Sequence, residues 1–106
     1  MALEVKNLFA GLAGSAGGEE FLTLWENPST KIERIVSHSH SSPAEFWYDQ
    51  PGDEWVIVLR GSATLEFADG KSVDLGAGDY LEIARHVRHR VARTADETIW
   101  LAVHVK

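Results

Sequence analysis

The side chains that could do chemistry here are a few histidines, acids and one tyrosine, set among short apolar runs. Glu54 opens the run Trp55-Val56-Ile57-Val58-Leu59. Strand alternation puts Glu54, Val56 and Val58 on one face and Trp55, Ile57 and Leu59 on the other. If the Val56 face looks inward, Glu54 does too, and an interior carboxylate must be paired or bind a cation. His89 begins a later strand between Arg88 and Arg90. An imidazole suits a transition metal, provided that its second ring nitrogen finds an orienting partner. Tyr48 and Gln50 are two apart and face one way. A Gln carbonyl binds a hard cation but is a weak ligand for zinc or iron. A Tyr phenol donates a hydrogen bond or ligates ferric iron as phenolate. The other reading of this pair is a polar network without metal.

The remaining histidines each allow two readings. His86 precedes His89 by three residues and either supplies a ligand or occupies a turn. His38 and His40 form an H-x-H pair that could approach a barrel mouth, or sit as a surface pair before Pro43. His104 shares a strand face with Trp100 and Ala102, and looks either into a pocket as a general base or into solvent. Arg85, Arg88, Arg90 and Arg93 are four of the six arginines. They suit a nucleic-acid patch, a carboxylate-bearing ligand at a barrel mouth, or a solvated face balanced by Glu45, Asp49, Asp53 and Glu54.

The elements that position these residues are short. Period-two patterning covers residues 32–36, 55–59, 63–67, 72–75, 80–83, 89–94 and 98–105, with Asp69-Gly70 as a hairpin signal. Seven to nine strands with turns at this spacing predict an all-β sandwich or barrel. Phe21, Leu22, Leu24 and Trp25 fall at i, i+1, i+3 and i+4, which predicts a short helical turn, a strand being the alternative. Four glycines in residues 11–18 predict a mobile loop. Residues 1–30 are thus an N-terminal extension and 31–106 the β-domain.

Composition excludes several classes. With 106 residues the chain is one domain. It has no Cys, hence no disulfide framework, Cys zinc site or thiol nucleophile. A net charge of −6 disfavours nucleic acid and anionic membranes. No apolar run approaches the roughly 20 residues of a membrane span. The start of the chain lacks a signal-peptide pattern, so a cytoplasmic protein is expected. Gly76-Ala77-Gly78 precedes a strand and is a turn, not a phosphate cradle. No Ser has a nucleophile-elbow context.

Residues 54–63, with Glu54 and Gly61 six spacers apart, resemble the second half of the first motif of the cupin superfamily. Gly78 and His89 match positions of the second motif, and residues 76–83 form a typical lead-in. Residues 46–51 further resemble a group of small single-domain bacterial cupins of uncharacterised function. The resemblance implies an antiparallel jelly roll with its site inside the barrel. Tyr48 and Gln50 stand where the motif has its two histidines. Ala84, His86 and Arg93 replace a Pro, a Gly and an Asn. The resemblance implies a divalent metal (iron, zinc, nickel or manganese) at Glu54 and His89, completed by Gln50 and Tyr48, with His86 as a substitute ligand. Tyr48 is then the candidate catalytic proton carrier. Two functions follow: a metal-dependent enzyme acting on a small organic molecule, or a non-catalytic ligand-binding module with a degenerate metal site. Four tryptophans in so small a domain, together with the resemblance, predict a homodimer.

Overall fold

The computed structural model describes residues 3–12 and 18–106. The period-two runs become strands, and five of them extend by one or more residues beyond the predicted ranges. In chain order these are β1 (Glu19–Asn27), β2 (Thr30–His38), β3 (Asp53–Arg60), β4 (Ser62–Phe67), β5 (Ser72–Gly76), β6 (Tyr80–Ile83), β7 (His89–Thr94) and β8 (Asp96–Val105). All pairings are antiparallel. One sheet has the order β1-β2-β8-β3-β6 and the other β5-β4-β7. The inner faces of the two sheets enclose the core, as in a jelly roll. No helix long and apolar enough to cross a membrane is found among the described residues.

The segment predicted as a helical turn is strand β1. It pairs with β2 from Glu19↔Ser37 to Asn27↔Thr30, with a bulge between Thr23 and Trp25. The bulge inserts one residue and breaks the two-residue period. That phase slip, rather than a helix, generates the i, i+1, i+3, i+4 spacing of Phe21, Leu22, Leu24 and Trp25. The Asn27 side chain closes the hairpin by accepting from the backbone N–H groups of Ser29 (2.9 Å) and Thr30 (2.7 Å). The large sheet therefore begins at Glu19, inside the stretch set apart by sequence as an extension.

Residues 3–12 form no strand. They are tied to the barrel through Arg34, whose Nη1 donates to the carbonyls of Leu8 (2.9 Å) and Ala10 (2.7 Å). The Arg60 guanidinium lies 5.1 Å above the Phe9 ring. Of the glycine-rich stretch, residues 13–17 lie outside the described residues.

The core is a single cluster built on Val56, Val58, Ala63, Leu65, Ile83, Val91, Trp100 and Ala102. Alternation along β3 buries Glu54, Val56 and Val58 and leaves Trp55 and Ile57 half-buried. Gly61, the motif glycine, has φ +88, and a Cβ there would meet the Glu97 carbonyl at 2.5 Å. Only glycine allows β3 to turn so tightly into β4.

Candidate functional site

The inward alternation of β3 and β8 brings a carboxylate and an imidazole side by side. Glu54 on β3 is the register partner of His104 on β8. Glu33 on β2 reaches the same point, its Oε1 2.8 Å from His104 Nε2. His89 arrives from the opposite sheet, at the start of β7. An irregular segment, residues 39–52, crosses beside it. Tyr48 and His89 exchange backbone hydrogen bonds of 2.7 and 3.1 Å, an isolated bridge that holds Tyr48 against the barrel. The Tyr48 ring stacks on His89 with centroids 5.4 Å apart.

These groups line a cavity of about 500 Å³ measured out to its open mouth. Its polar side chains are Glu19, Glu33, Glu54, His89, His104, Tyr48 and Gln50. The rest of the wall is apolar, including Phe21, Val56, Leu65 and Trp100. Among the described residues, no Lys or Arg lines it.

Glu54 sits at the centre of this set. Only 8% of the residue is exposed. His89 Nε2 lies 3.7 Å from one oxygen and His104 Nε2 3.9 Å from the other, both beyond hydrogen-bond reach. Neither oxygen has a hydrogen-bond partner among the described residues. Burial pushes the Glu54 carboxyl above its usual range, against the pull of the two imidazoles. Burial also raises the Tyr48 phenol to about 12, helped by the Glu19 charge. The Tyr48 hydroxyl donates to Glu19 Oε1 across 3.5 Å. Tyr48 is thus set as a proton donor in a hydrogen bond and resists the phenolate form a ferric ligand needs. His89 Nδ1 faces the Val87 carbonyl at 2.8 Å, which turns Nε2 toward the pocket.

Of the residues singled out by sequence, Glu54, His89, Tyr48 and Gln50 line the cavity. His86 does not. It lies on the outside, its Nδ1 2.8 Å from Asp49 Oδ1 and its side chain 65% exposed. With φ +61 it occupies a left-handed turn position, where the motif glycine is conformationally easiest. The H-x-H pair is held by acids: His38 lies between Asp96 (3.2 Å) and Glu20 (3.3 Å), and His40 faces Glu19 at 3.2 Å. Ser39, with φ +52, breaks the strand between them. None of the clustered arginines lines the cavity. Arg85 pairs with Asp53, Arg90 with Glu66, Arg93 reaches Ser62, and Arg88 lies over Trp47.

Glu33 and Glu19 line the cavity although the sequence did not flag them, and His104 was left open. The available signal was alternation: Glu33 shares a strand face with Ile35, and His104 one with Trp100 and Ala102. Which face looks inward depends on the neighbouring strands.

The cupin resemblance implies a metal, and the donors here fit one poorly. Among the described residues, no three His, Asp or Glu side chains are gathered as a metal-holding group. His104 Nε2 is committed to Glu33, and His86 is outside. Glu54 and His89 remain as two donors, with the Tyr48 phenol and Gln50 nearby.

A family profile described as a cupin domain matches residues 28–104. No curated protein matches the chain. Among solved structures, a Ralstonia eutropha JMP134 protein provisionally named a mannose-6-phosphate isomerase is 45% identical, with a TM-score of 0.91. The alignment covers 98% of this chain and 99% of that one. A cupin superfamily protein from Desulfitobacterium hafniense DCB-2 superposes with a TM-score of 0.78 at 17% identity, covering 99% and 94% of the two chains. A Streptococcus pyogenes protein of unknown function gives 0.79 at 18% identity, covering 100% and 90%. The last two show shared fold alone. The two-sheet barrel, the motif residues Glu54, Gly61 and His89 in their places, and the match across most of its length make this chain a member of the cupin family.

Proposed function

We propose that this cupin binds a small organic ligand in the barrel pocket, at a metal site reduced to Glu54 and His89. The observation that carries this is Glu54: nine-tenths buried, aimed into the cavity, and without a hydrogen bond among the described residues. A buried carboxylate in that state calls for a proton, a donor or a cation. A ligand donor supplies it, while the apolar walls bury the rest of the molecule. The His89 imidazole stands close enough to exchange a proton with a ligand held at Glu54, and the Glu33-bound His104 lies beside it.

The name of the Ralstonia relative suggests isomerisation of a sugar phosphate. Such a reaction needs a proton carrier and a phosphate site. Glu54, His89 and His104 are candidates for the first. The second would call for Lys, Arg or a cradle of backbone N–H groups, and no Lys or Arg among the described residues lines the pocket. The reading supported here is therefore ligand binding with proton-handling groups, without phosphate recognition.

One observation favours a second reading, a weakly held divalent metal ion at Glu54 and His89. The Val87 carbonyl fixes the His89 ring as a metal-bound imidazole is usually fixed. When bound, such an ion would polarise an oxygen of the ligand.

The two readings separate in chelator-stripped protein. Zinc, nickel, manganese and ferrous iron are titrated while melting is followed, and ligand-observed NMR with a metabolite mixture is run in the presence of chelator. Ligand binding that persists with chelator and disappears in Glu54→Gln supports the first reading. A metal-induced rise in Tm that Glu54→Gln and His89→Gln abolish, with ligand binding only after metal addition, establishes the second.

A further inference from the structure

We infer that the organic ligand of this pocket is an amine: a protonated nitrogen on an apolar body, docking its ammonium group on Glu54. The inference rests on the small-ligand reading above and specifies the ligand's charge.

The first support is the sign of the wall. Three carboxylates, Glu19, Glu33 and Glu54, line the cavity with two imidazoles and no Lys or Arg. An anionic ligand would enter against three like charges, with only the two imidazoles to meet it and no permanent cation. The second support is that two of the three carboxylates are already engaged. Glu19 accepts from Ser37 Oγ at 3.2 Å and Tyr48 at 3.5 Å, and lies 3.2 Å from His40. Glu33 is held by His104 at 2.8 Å and by Lys31 at 3.5 Å, the lysine reaching it from outside the cavity lining. Of the three, Glu54 alone has no hydrogen-bond partner among the described residues. Its imidazole neighbours, at 3.7 and 3.9 Å, leave hydrogen-bond positions unfilled.

The third support is the apolar surface around that carboxylate. Phe21, Tyr48 and Trp100 bring aromatic rings to the wall, and Val56, Leu65 and Ile83 complete it. An ammonium group has three donors to give a carboxylate and is attracted by ring faces. A polyhydroxylated sugar would leave most of its hydroxyls facing apolar side chains. One ammonium on an apolar body satisfies both the carboxylate and the wall.

The test uses three probes with one body and different heads: 2-phenylethylamine, 2-phenylethanol and phenylacetate, with mannose 6-phosphate alongside. Binding to wild-type protein is measured by calorimetry and thermal shift in chelator. The amine is expected to bind about tenfold more tightly than the alcohol, the scale of one charge-assisted hydrogen bond. Phenylacetate and the sugar phosphate are expected to leave Tm unchanged. Glu54→Gln should bring the amine down to the level of the alcohol. The comparison among probes is made on wild-type protein, so it stands even if that variant does not fold. Phenylacetate, the alcohol or mannose 6-phosphate binding as tightly as the amine would overturn the amine assignment and leave the small-ligand reading standing. An amine affinity that survives in folded Glu54→Gln would also overturn it. Silence from all four probes would count against both.

Discussion

Glu54 faces the pocket at a cost to the fold. Its carboxyl is raised by burial, so the folded barrel resists its ionisation. The corresponding stability is complete below the unfolded value of 4.5 and is lost as pH climbs through the higher folded value. Above that range the ionised group is a standing penalty. Glu54→Gln keeps the shape and removes the charge. It should stabilise the protein by about 1 kcal/mol at pH 8, the scale of an uncompensated buried polar group, and by less at pH 5. Urea unfolding of both proteins at the two pH values checks this. Equal stability of the two at pH 8 would mean that Glu54 is already compensated. At this scale the sequence was partly legible. Motif spacing located Glu54 and His89, and an offset of two residues located Tyr48 and Gln50. His86 shows the limit, because its left-handed φ serves a turn and its ring points outward. Glu33 and His104 face each other across two adjacent strands, and no one-dimensional spacing reports a cross-strand pair.

At the scale of the element, β1 is the instructive case. Its bulge made a strand look helical, so the sequence signal for this strand was weak where those of β3 and β4 were strong. What fastens β1 is not apolar burial, because Phe21, Leu22, Leu24 and Trp25 all remain exposed. The backbone ladder with β2 and pairs between its glutamates and the H-x-H histidines hold it. His38, itself buried, links Glu20 of β1 to Asp96 at the start of β8. Asp96 chiefly, then Glu20, hold the His38 imidazolium above its usual range, against the pull of desolvation. A raised His pKa contributes stability that is full below the unfolded value of 6.5 and is lost as pH rises through the folded one. His38→Gln should therefore melt well below wild type at pH 6, by a few degrees for a domain of this size. The gap should narrow above neutral pH. A difference in Tm that is constant from pH 6 to 9 would show that His38 acts by packing alone. Because Glu19 and Phe21 belong to both β1 and the pocket wall, loosening this strand should also weaken ligand binding.

At the scale of the whole molecule, one run of exposed apolar side chains lies where the large sheet ends. β1 is the outer strand of the five-stranded sheet, and its free edge runs the length of a nine-residue strand. Phe21, Leu22, Leu24 and Trp25 are 56, 47, 37 and 53% exposed. Contiguous apolar exposure of this kind marks an association surface. The pattern Phe-Leu-Thr-Leu-Trp is close to symmetric about Thr23. A two-fold axis near that residue repeats Leu22 and Trp25, which the bulge places on the same outer face, as the self-complementary patch that an isologous dimer requires. The bulge between Thr23 and Trp25 works against a continuous ladder across the two edges. The contact is thus expected through side chains, with Phe21 closing part of each protomer's pocket. Light scattering at high micromolar concentration should give twice the chain mass. The double variant Leu22→Lys, Trp25→Lys should give a folded monomer, with little change in the barrel core that β1 hardly touches. Its pocket should bind ligand more weakly, because Phe21 then faces water. A wild-type protein that remains monomeric at that concentration would remove the dimer and leave the apolar edge open for a different partner.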